Sequence, residues 1–178
     1  MDKLAYGYMK GRHMTHKKGL YVGSFDPVTL GHVNVIERAS HLFDQLTVLV
    51  ATNTSKKYLF DLEERLDLLK QSCGHIENLE IGILEGELVA DYVRREGVTA
   101  VVRGLRTTKD FEYEEAIAAG NRDQFSDFET VFLMADPAYR HLSSSMIKEI
   151  AYFKGNIQSM VPPFVESAIK EKLKDSQI

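Results

Sequence analysis

The sequence of 178 residues has little cysteine, proline or tryptophan: one cysteine, Cys73, four prolines and no tryptophan. A single cysteine excludes an internal disulfide framework, so a reducing, cytoplasmic location is predicted. No apolar run approaches the length of a membrane span, and the first 18 residues lack the continuous apolar stretch of a cleavable signal peptide. A net charge of −4 argues against a nucleic-acid partner, which would need a basic face. These absences leave a globular protein without a membrane or nucleic-acid partner.

The chain has the composition of one ordinary globular domain, with 44% hydrophobic and 27% charged residues. Its length is sufficient to bury a sizeable core. Residues 1–18 are basic and irregular, and their stretch GRHM resembles a cloning scar. We therefore interpret residues 1–18, with His13 and His16, as a leader that is possibly tag-derived and holds no metal site. Residues 19–178 are predicted to form a single domain.

Strand-like and helix-like segments alternate from Gly19 onward. The stretch LTVLVAT is continuous, apolar and rich in β-branched residues, which is typical of a strand buried on both faces. Asp61 followed by Glu64 resembles a capping box that opens a helix. Strands are predicted at 19–23, 46–52, 79–84, 99–104 and 129–134, and helices at 33–42, 61–73, 87–96, 109–125, 143–153 and from Pro162 or Pro163 onward. The alternation predicts an α/β fold with a Rossmann-like, doubly wound five-stranded parallel sheet and helices on both faces.

Polar loops follow four of the five predicted strands. In a parallel sheet of this kind, ligands bind beyond the carboxyl ends of the strands. The loops SFDPVTLGH, NTSKK, RGLR and ADPAYRHLSSS all lie there. They are expected to bring Lys56, Lys57, Arg103 and Arg106 to one edge of the sheet, which implies a polyanionic ligand.

Two of these loops run into helix starts, where unpaired N–H groups and the helix dipole favour an anion. At the first start, His32 can donate its ring N–H to a phosphate oxygen, although a surface histidine beside a helix cap explains it equally well. At the second, residues 143–145 offer three hydroxyls, or an ordinary serine N-cap with spare serines. Within the first loop, Asp26 or Thr29 is expected to bond back to the turn backbone.

Several other chemistries lack their motifs. The sequence has no G-x-x-x-x-G-K-[ST], no G-x-G-x-x-G, no G-x-S-x-G and no Cys/His cluster with zinc spacing. The acidic stretch DFEYEE, residues 110–115, is interpreted as a solvated helix face with one member turned inward. Cys73 is interpreted as a packing residue. No nucleophile for covalent catalysis is found.

Taken together, the loops resemble a known superfamily. The pattern G-[ST]-F-D-P-x-[TH]-x-G-H and the later S-S-[ST]-x-x-[KR] are similar to those of adenylyl- and cytidylyltransferases. Within that superfamily, the T-x-G-H form with Thr29, the run Ser55-Lys56-Lys57, and the stretches RGLR, DFEYE and SSSMIKE resemble the bacterial phosphopantetheine adenylyltransferases. The similarity extends over residues 19–173.

The resemblance implies transfer of the adenylyl group of ATP to 4′-phosphopantetheine, with Mg²⁺ bound through the ATP phosphates and no metal site made by the protein. It also implies a homohexamer and coenzyme A as a feedback ligand. His32 would stabilise the transition state. The resemblance assigns ATP binding to Ser24, Phe25, His32, Gly104, Leu105, Arg106, Glu114, Tyr139, Arg140, His141, Leu142, Ser143, Ser144 and Ser145. It assigns the acceptor to Ser24, Lys56, Val89 and Arg103.

Four positions depart from the family pattern, and two other functions stay open. Ser24 stands where threonine is also common, Tyr58 where proline is frequent, which favours a looser loop, Tyr139 where tryptophan occurs, and Tyr152 where arginine is expected. The alternatives are a sister adenylyl- or cytidylyltransferase and a catalytically silent nucleotide-binding module. A sister enzyme would usually carry histidine in place of Thr29, and a silent module would be expected to lose His32 or the basic residues first.

Overall fold

The computed structural model describes residues 16–53 and 56–175, where strands and helices alternate as expected. Most of the predicted leader, with His13, and also Ser55 lie outside the described residues. The elements are β1 (Lys18–Gly23), α1 (Leu30–Ser40), β2 (Gln45–Ala51), α2 (Leu62–Cys73), β3 (Leu79–Leu84), α3 (Val89–Glu96), β4 (Ala100–Leu105), α4 (Thr108–Gln124), β5 (Thr130–Met134), α5 (Ser144–Tyr152) and α6 (Pro163–Asp175).

All five strands are parallel and lie in the order β3-β2-β1-β4-β5. The chain builds outward from β1 through β2 to β3, then returns to place β4 on the other side of β1. The direction of winding therefore reverses between β1 and β4, and a crevice opens at their carboxyl ends. This is the edge at which the sequence predicts the polar loops to meet.

Helices cover both faces of the sheet, which confirms the doubly wound α/β prediction. Alternate residues of β1 point to opposite faces, with Tyr21 in one apolar cluster and Leu20 in the other. The larger cluster is completed by α1, α2, α5 and α6, whose apolar residues include Ile36, Leu69 and Ile147. The smaller one is completed mainly by α3. Burying each such side chain contributes about 1.5–3 kcal/mol, and the two clusters fix the sheet edge that carries the loops.

Several helix ends follow from capping residues. Asp61 and Ser143 accept hydrogen bonds from Glu64 N and Met146 N, as predicted, and α3 ends at Gly97 with a φ of 64°. The first helix begins at Leu30, three residues before the prediction, because Thr29 caps it. His32 is therefore the third residue of the helix and not a loop residue.

The amino-terminal boundary of the domain also differs from the prediction. Lys18 pairs with Gln45 as the first residue of β1, and Lys17 N donates to Asp44 Oδ2 over 2.7 Å. The ordered domain thus includes the last residues that the sequence assigned to a leader. Within the described part of the chain, no helix is both long and apolar enough to cross a membrane.

Candidate active site at the carboxyl ends of β1 and β4

A cavity of about 310 Å³, here called the central cavity, lies at the crevice between β1 and β4. The helix starts of α1 and α5 form one wall, and arginines from β4 and the loop after it form another. It brings together most of the predicted ATP residues: His32, Gly104, Arg106, Glu114, Tyr139, Leu142, Ser143, Ser144 and Ser145. Two predicted acceptor residues, Lys56 and Arg103, also line this cavity.

Two smaller spaces adjoin the central cavity. The lysine cavity, of about 280 Å³, contains Lys56, Lys57 and Lys148 together with the predicted Ser24 and Phe25, and it shares His32 with the central cavity. The apolar cleft, of about 60 Å³, is lined by the predicted acceptor residue Val89 and by Arg103, Glu114 and apolar side chains of the sheet. The central cavity therefore has a polar extension, the lysine cavity, and an apolar extension, the apolar cleft.

Three predicted ATP residues line none of these three spaces. The Leu105 side chain is buried, 3% exposed. The Arg140 side chain folds back, with Nε donating to Ala135 O over 3.3 Å, and His141 is exposed to solvent. The structure does not bring these three side chains to the site.

His32 is fixed by a capping box at the start of α1. Thr29 N donates to His32 Nδ1 over 3.1 Å, and His32 N donates to Thr29 Oγ1 over 3.2 Å. Because Nδ1 accepts a hydrogen bond from an amide, the neutral ring carries its proton on Nε2. Burial, together with the positive charge of Arg106, lowers the pKa of His32 from 6.5 to about 4. At neutral pH the ring is therefore a neutral N–H donor.

Phe25 packs against the ring of His32. It is 1% exposed, and its ring meets those of Tyr21 and His32 edge-on, with centroids 5.7 and 5.2 Å apart. A Cβ at Gly23 would come within 2.9 Å of the Phe25 ring, so only glycine leaves room for it. Phe25 holds a φ of 47°, a conformation that non-glycine residues rarely adopt. This backbone conformation places the Phe25 ring in contact with the His32 ring.

The two helix starts offer fewer free donors than the sequence suggested. At α1, Leu30 N donates to Met160 O, and among the described residues Gly31 N has no protein acceptor. At α5, Ser143 is an ordinary N-cap, and Ser144 Oγ donates to Pro27 O over 2.8 Å. Gly31 N and Ser145 are the groups left to face a ligand.

Both arginines of the site are held by acidic residues of α4. Arg103 forms two 2.6 Å hydrogen bonds with Glu114, and Arg106 pairs with Asp110. Burial opposes the charge of Arg103, but Glu114 outweighs it and the pKa of Arg103 is raised. The prediction that one member of the stretch 110–115 turns inward was wrong, because two do. Each carboxylate takes the bidentate edge of its guanidinium and so fixes the arginine beside the cavity.

Asp26 has a different role from the predicted one. Thr29 caps the turn, as expected, but Asp26 does not bond to its own turn. Its buried carboxylate accepts from Leu59 N and Phe60 N and receives Lys148 Nζ at 2.7 Å. Asp26 therefore joins the loop after β1 to the segment before α2 and to α5. Lys148 was the last residue of the serine-rich motif, which was the available signal for it.

Arg65 and Tyr58 form a contact that no pattern in the sequence indicated. The guanidinium carbon of Arg65 lies 4.1 Å from the centroid of the Tyr58 ring. Tyr58 Oη contacts both Asn53 N, at 2.5 Å, and Asn53 O, at 3.2 Å. The ring and the hydroxyl of Tyr58 are therefore both engaged, and the looser loop stays a prediction.

The chemistry of this site suits a polyanion and not a bare metal ion. In residues 16–53 and 56–175, no group of three or more His, Cys, Asp or Glu side chains could hold a metal. Its carboxylates, Asp26, Asp110 and Glu114, each have a cationic partner. Beside these pairs, Lys56, the Gly31 amide and the neutral imidazole N–H of His32 are donors for phosphate oxygens.

Proteins of known family are similar to this chain over most of its length. Residues 20–150 match the cytidylyltransferase-like family. A phosphopantetheine adenylyltransferase of Thermodesulfovibrio yellowstonii is 46% identical over 89% of this chain and 98% of that protein, and one of Dictyoglomus thermophilum is 50% identical over 87% and 94%. A crystal structure described as a putative nicotinate-nucleotide adenylyltransferase from Vibrio parahaemolyticus shares the fold, with a TM-score of 0.63, 17% identity and coverage of 90% and 93%. The identity over nearly the whole length shows that this chain belongs to the phosphopantetheine adenylyltransferase family of nucleotidyltransferases.

Proposed function

We propose that this chain is an enzyme that transfers the adenylyl group of ATP to 4′-phosphopantetheine, giving dephospho-coenzyme A and pyrophosphate. One observation carries the proposal: the polar lysine cavity and the apolar cleft both adjoin the central cavity, which is lined by fixed hydrogen-bond donors. A polyphosphate requires the first extension, and the second offers apolar contacts to part of the acceptor arm. The names of the relatives support the same reaction.

The spaces suggest a division of the ligands. ATP occupies the central cavity, with its polyphosphate turned toward the lysine cavity and the α5 start. The acceptor enters by the apolar cleft beside Val89, so that its phosphate meets Arg103 and Lys56. Lys56 lines both the central and the lysine cavity and is therefore close to both anions. This assignment follows charge and polarity and agrees with the roles that the resemblance implied.

The reaction needs positioning more than it needs a base. The acceptor phosphate is ionised near neutral pH, so one of its oxygens attacks the α-phosphorus of ATP directly. As that bond forms, the bond from the α-phosphorus to the bridging oxygen breaks and pyrophosphate leaves, without a covalent enzyme intermediate. Holding the two anions in line can contribute about 7–11 kcal/mol in favourable cases. The Nε2–H of His32 and the Gly31 amide then stabilise charge on the transferring phosphoryl oxygens.

Magnesium fits this site as a companion of ATP. It prefers phosphate oxygens, waters and one or two carboxylates, and here the described carboxylates are engaged by Lys148, Arg103 and Arg106. When bound through the ATP phosphates, the ion neutralises charge on the leaving pyrophosphate. Among the described residues, Lys56 and Lys57 of the lysine cavity add positive charge near that end.

Three further features belong to the proposal by family relationship. A homohexamer is supported by α4, which has no buried residue and exposes Tyr113 at 65% and Phe111 at 43% in a single chain. Coenzyme A, which contains the acceptor and the adenylyl group, would occupy the same spaces as a feedback ligand. A cytoplasmic location agrees with the single buried cysteine.

Pyrophosphate release tests the proposal directly. The protein is incubated with Mg²⁺ and either ATP or CTP, first without an acceptor and then with 4′-phosphopantetheine, nicotinate mononucleotide or phosphocholine. Pyrophosphate release from ATP that occurs with 4′-phosphopantetheine and with neither other acceptor, with dephospho-coenzyme A as the product, supports the proposal. Release only with another acceptor indicates a sister enzyme. ATP binding without release under any condition indicates a silent nucleotide-binding module.

A further inference from the structure

Arg65 is a buried cation that no carboxylate neutralises within the described part of the chain. It lies on α2 and is 2% exposed. Its four hydrogen-bond acceptors there are neutral oxygens. Removing a guanidinium from water is costly without compensation, and carbonyl dipoles supply it here. A core position for such a charge calls for a reason beyond packing, because an apolar side chain would fill the space at lower cost.

The acceptors of Arg65 lie at the ends of two strands. Its Nη1 donates to Ser24 O over 2.8 Å, just after β1, and to Ala51 O over 3.1 Å, the last residue of β2. Its Nε donates to Asp61 O over 3.3 Å, at the start of its own helix. One planar group thus sets the spacing between the two loops that carry Ser24 and Lys56.

The same guanidinium supports the Tyr58 ring. The stacking distance of 4.1 Å is short for a cation–π contact, and such contacts contribute about 0.5–2 kcal/mol. Tyr58 Oη then contacts the N and O atoms of Asn53, and Asn53 O accepts from Lys56 N over 3.0 Å. The contacts form a chain from Arg65 through Tyr58 and Asn53 to the backbone of Lys56.

We infer that Arg65 and Tyr58 are positioning residues that hold Lys56 at the junction of the central and lysine cavities. Neither residue touches the reacting atoms. Their effect passes through Lys56, so it rests on the proposed function, in which Lys56 binds the acceptor phosphate. Tyr58 is the more informative of the two, because its hydroxyl can be removed without removing the stacked ring.

A double-mutant cycle separates this role from a structural one. The four proteins are the wild type, Tyr58→Phe, Lys56→Ala and the double variant, each assayed for kcat and for the KM values of both substrates. Tyr58→Phe keeps the stacked ring and removes only the hydroxyl. We expect it to raise the acceptor KM about fivefold, which is about 1 kcal/mol at 1.4 kcal/mol per tenfold. In the Lys56→Ala background the same substitution should change the acceptor KM less than twofold.

Arg65 is tested by conservative replacement. Arg65→Lys keeps the charge but loses the planar fork that spans two carbonyls, so it should also raise the acceptor KM. Leu69→Ala is the matched control, because Leu69 lies on the same helix, is fully buried and lines the core. It should lower the melting temperature and leave the ratio of the two KM values unchanged. If Arg65→Lys does not fold, the Tyr58 cycle alone decides.

The outcomes distinguish this inference from the proposed function. If the wild type does not use 4′-phosphopantetheine at all, the proposed function is wrong, and this inference, which rests on it, is wrong as well. If the wild type turns over but Tyr58→Phe changes no kinetic constant, the positioning role is wrong. The role is also wrong if the effect of Tyr58→Phe is as large without the Lys56 side chain as with it, because the hydroxyl then acts independently of Lys56.

Discussion

His32 should be neutral throughout the physiological range, and the Gln variant shows this most directly. His32→Gln turns the capping sequence into T-x-x-Q, in which the glutamine oxygen can accept the Thr29 amide in place of Nδ1. The helix start is preserved while the titratable ring is removed. The two proteins should therefore differ in how their stability depends on pH and differ little in fold.

The sign and size follow from the pKa of His32, which is lowered from 6.5 to about 4 by burial and by the charge of Arg106. In the unfolded chain the ring binds a proton near pH 6.5, whereas the folded protein resists it down to about 4. The contribution of His32 to stability is therefore complete above pH 6.5 and is lost as the pH falls toward 4. The total approaches about 3 kcal/mol at 1.36 kcal/mol per pH unit, and about 2 kcal/mol of it is lost between pH 7 and pH 5.

Protonation of the folded ring meets a specific obstacle. A proton on Nδ1 would face the Thr29 amide proton across 3.1 Å and would break the capping box. The ring also lies against the Phe25 ring, which offers no hydrogen-bond acceptor to a cation in the ring plane. Local structure therefore accounts for the same direction as burial does.

Urea unfolding at pH 7, 6 and 5 measures the effect in both proteins. The free energy of unfolding of the wild type should fall by about 2 kcal/mol more than that of His32→Gln over this range. Carboxylates and the other histidines titrate in both proteins and cancel in the comparison. An NMR titration of the His32 ring gives its pKa independently. Equal pH slopes, or a ring pKa near the ordinary value, would refute the reasoning and return His32 to a solvated surface role.

Three further predictions concern activity. His32→Ala should lower kcat by about 10²–10³ and weaken ATP binding much less, as kinetics with ATP calorimetry can measure; equal losses in both would mean uniform binding. Lys56→Ala and Arg103→Ala should each raise the acceptor KM, most at low salt, where the lost attraction is least screened, in paired substrate titrations; a change confined to ATP would reverse the assignment. The nucleotide-free protein should bind Mg²⁺ only weakly yet require it for turnover; micromolar affinity in calorimetry without ATP would reveal a dedicated metal site.

The sequence specifies the fold at the level of elements and order. Continuous apolar strands such as 46–51 can be buried on both faces only in a parallel sheet covered by helices, and the structure confirms that sheet. Errors are confined to ends. The start of α1 was misjudged because Gly31 and His32 look like loop residues, although Thr29 caps them into the first turn. Capping is a local signal, but its register depends on which of several candidate residues is used.

The cationic residues of the site were also predictable, because they lie at the carboxyl ends of strands. Lys56 follows β2, Arg103 lies near the end of β4 and Arg106 directly follows it, so topology alone brings them together. The partners of those cations were not predictable from spacing. Glu114 lies eleven residues beyond Arg103 on a helix that packs beside its strand, and which face of α4 turns inward is decided by tertiary packing.

The same limit explains why the supports of the site were missed. The contacts of Asp26 with Phe60 and Lys148 join residues 34 and 122 positions apart, and no periodicity in the sequence encodes such pairs. A buried charge is also the feature that composition predicts least well, since charged residues are usually read as surface. Yet these long-range contacts fix the loop after β1 from two sides, through α2 and through α5. Catalysis by positioning requires donors held with little freedom, so residues that never meet the ligand are as necessary to such a site as the cations that do.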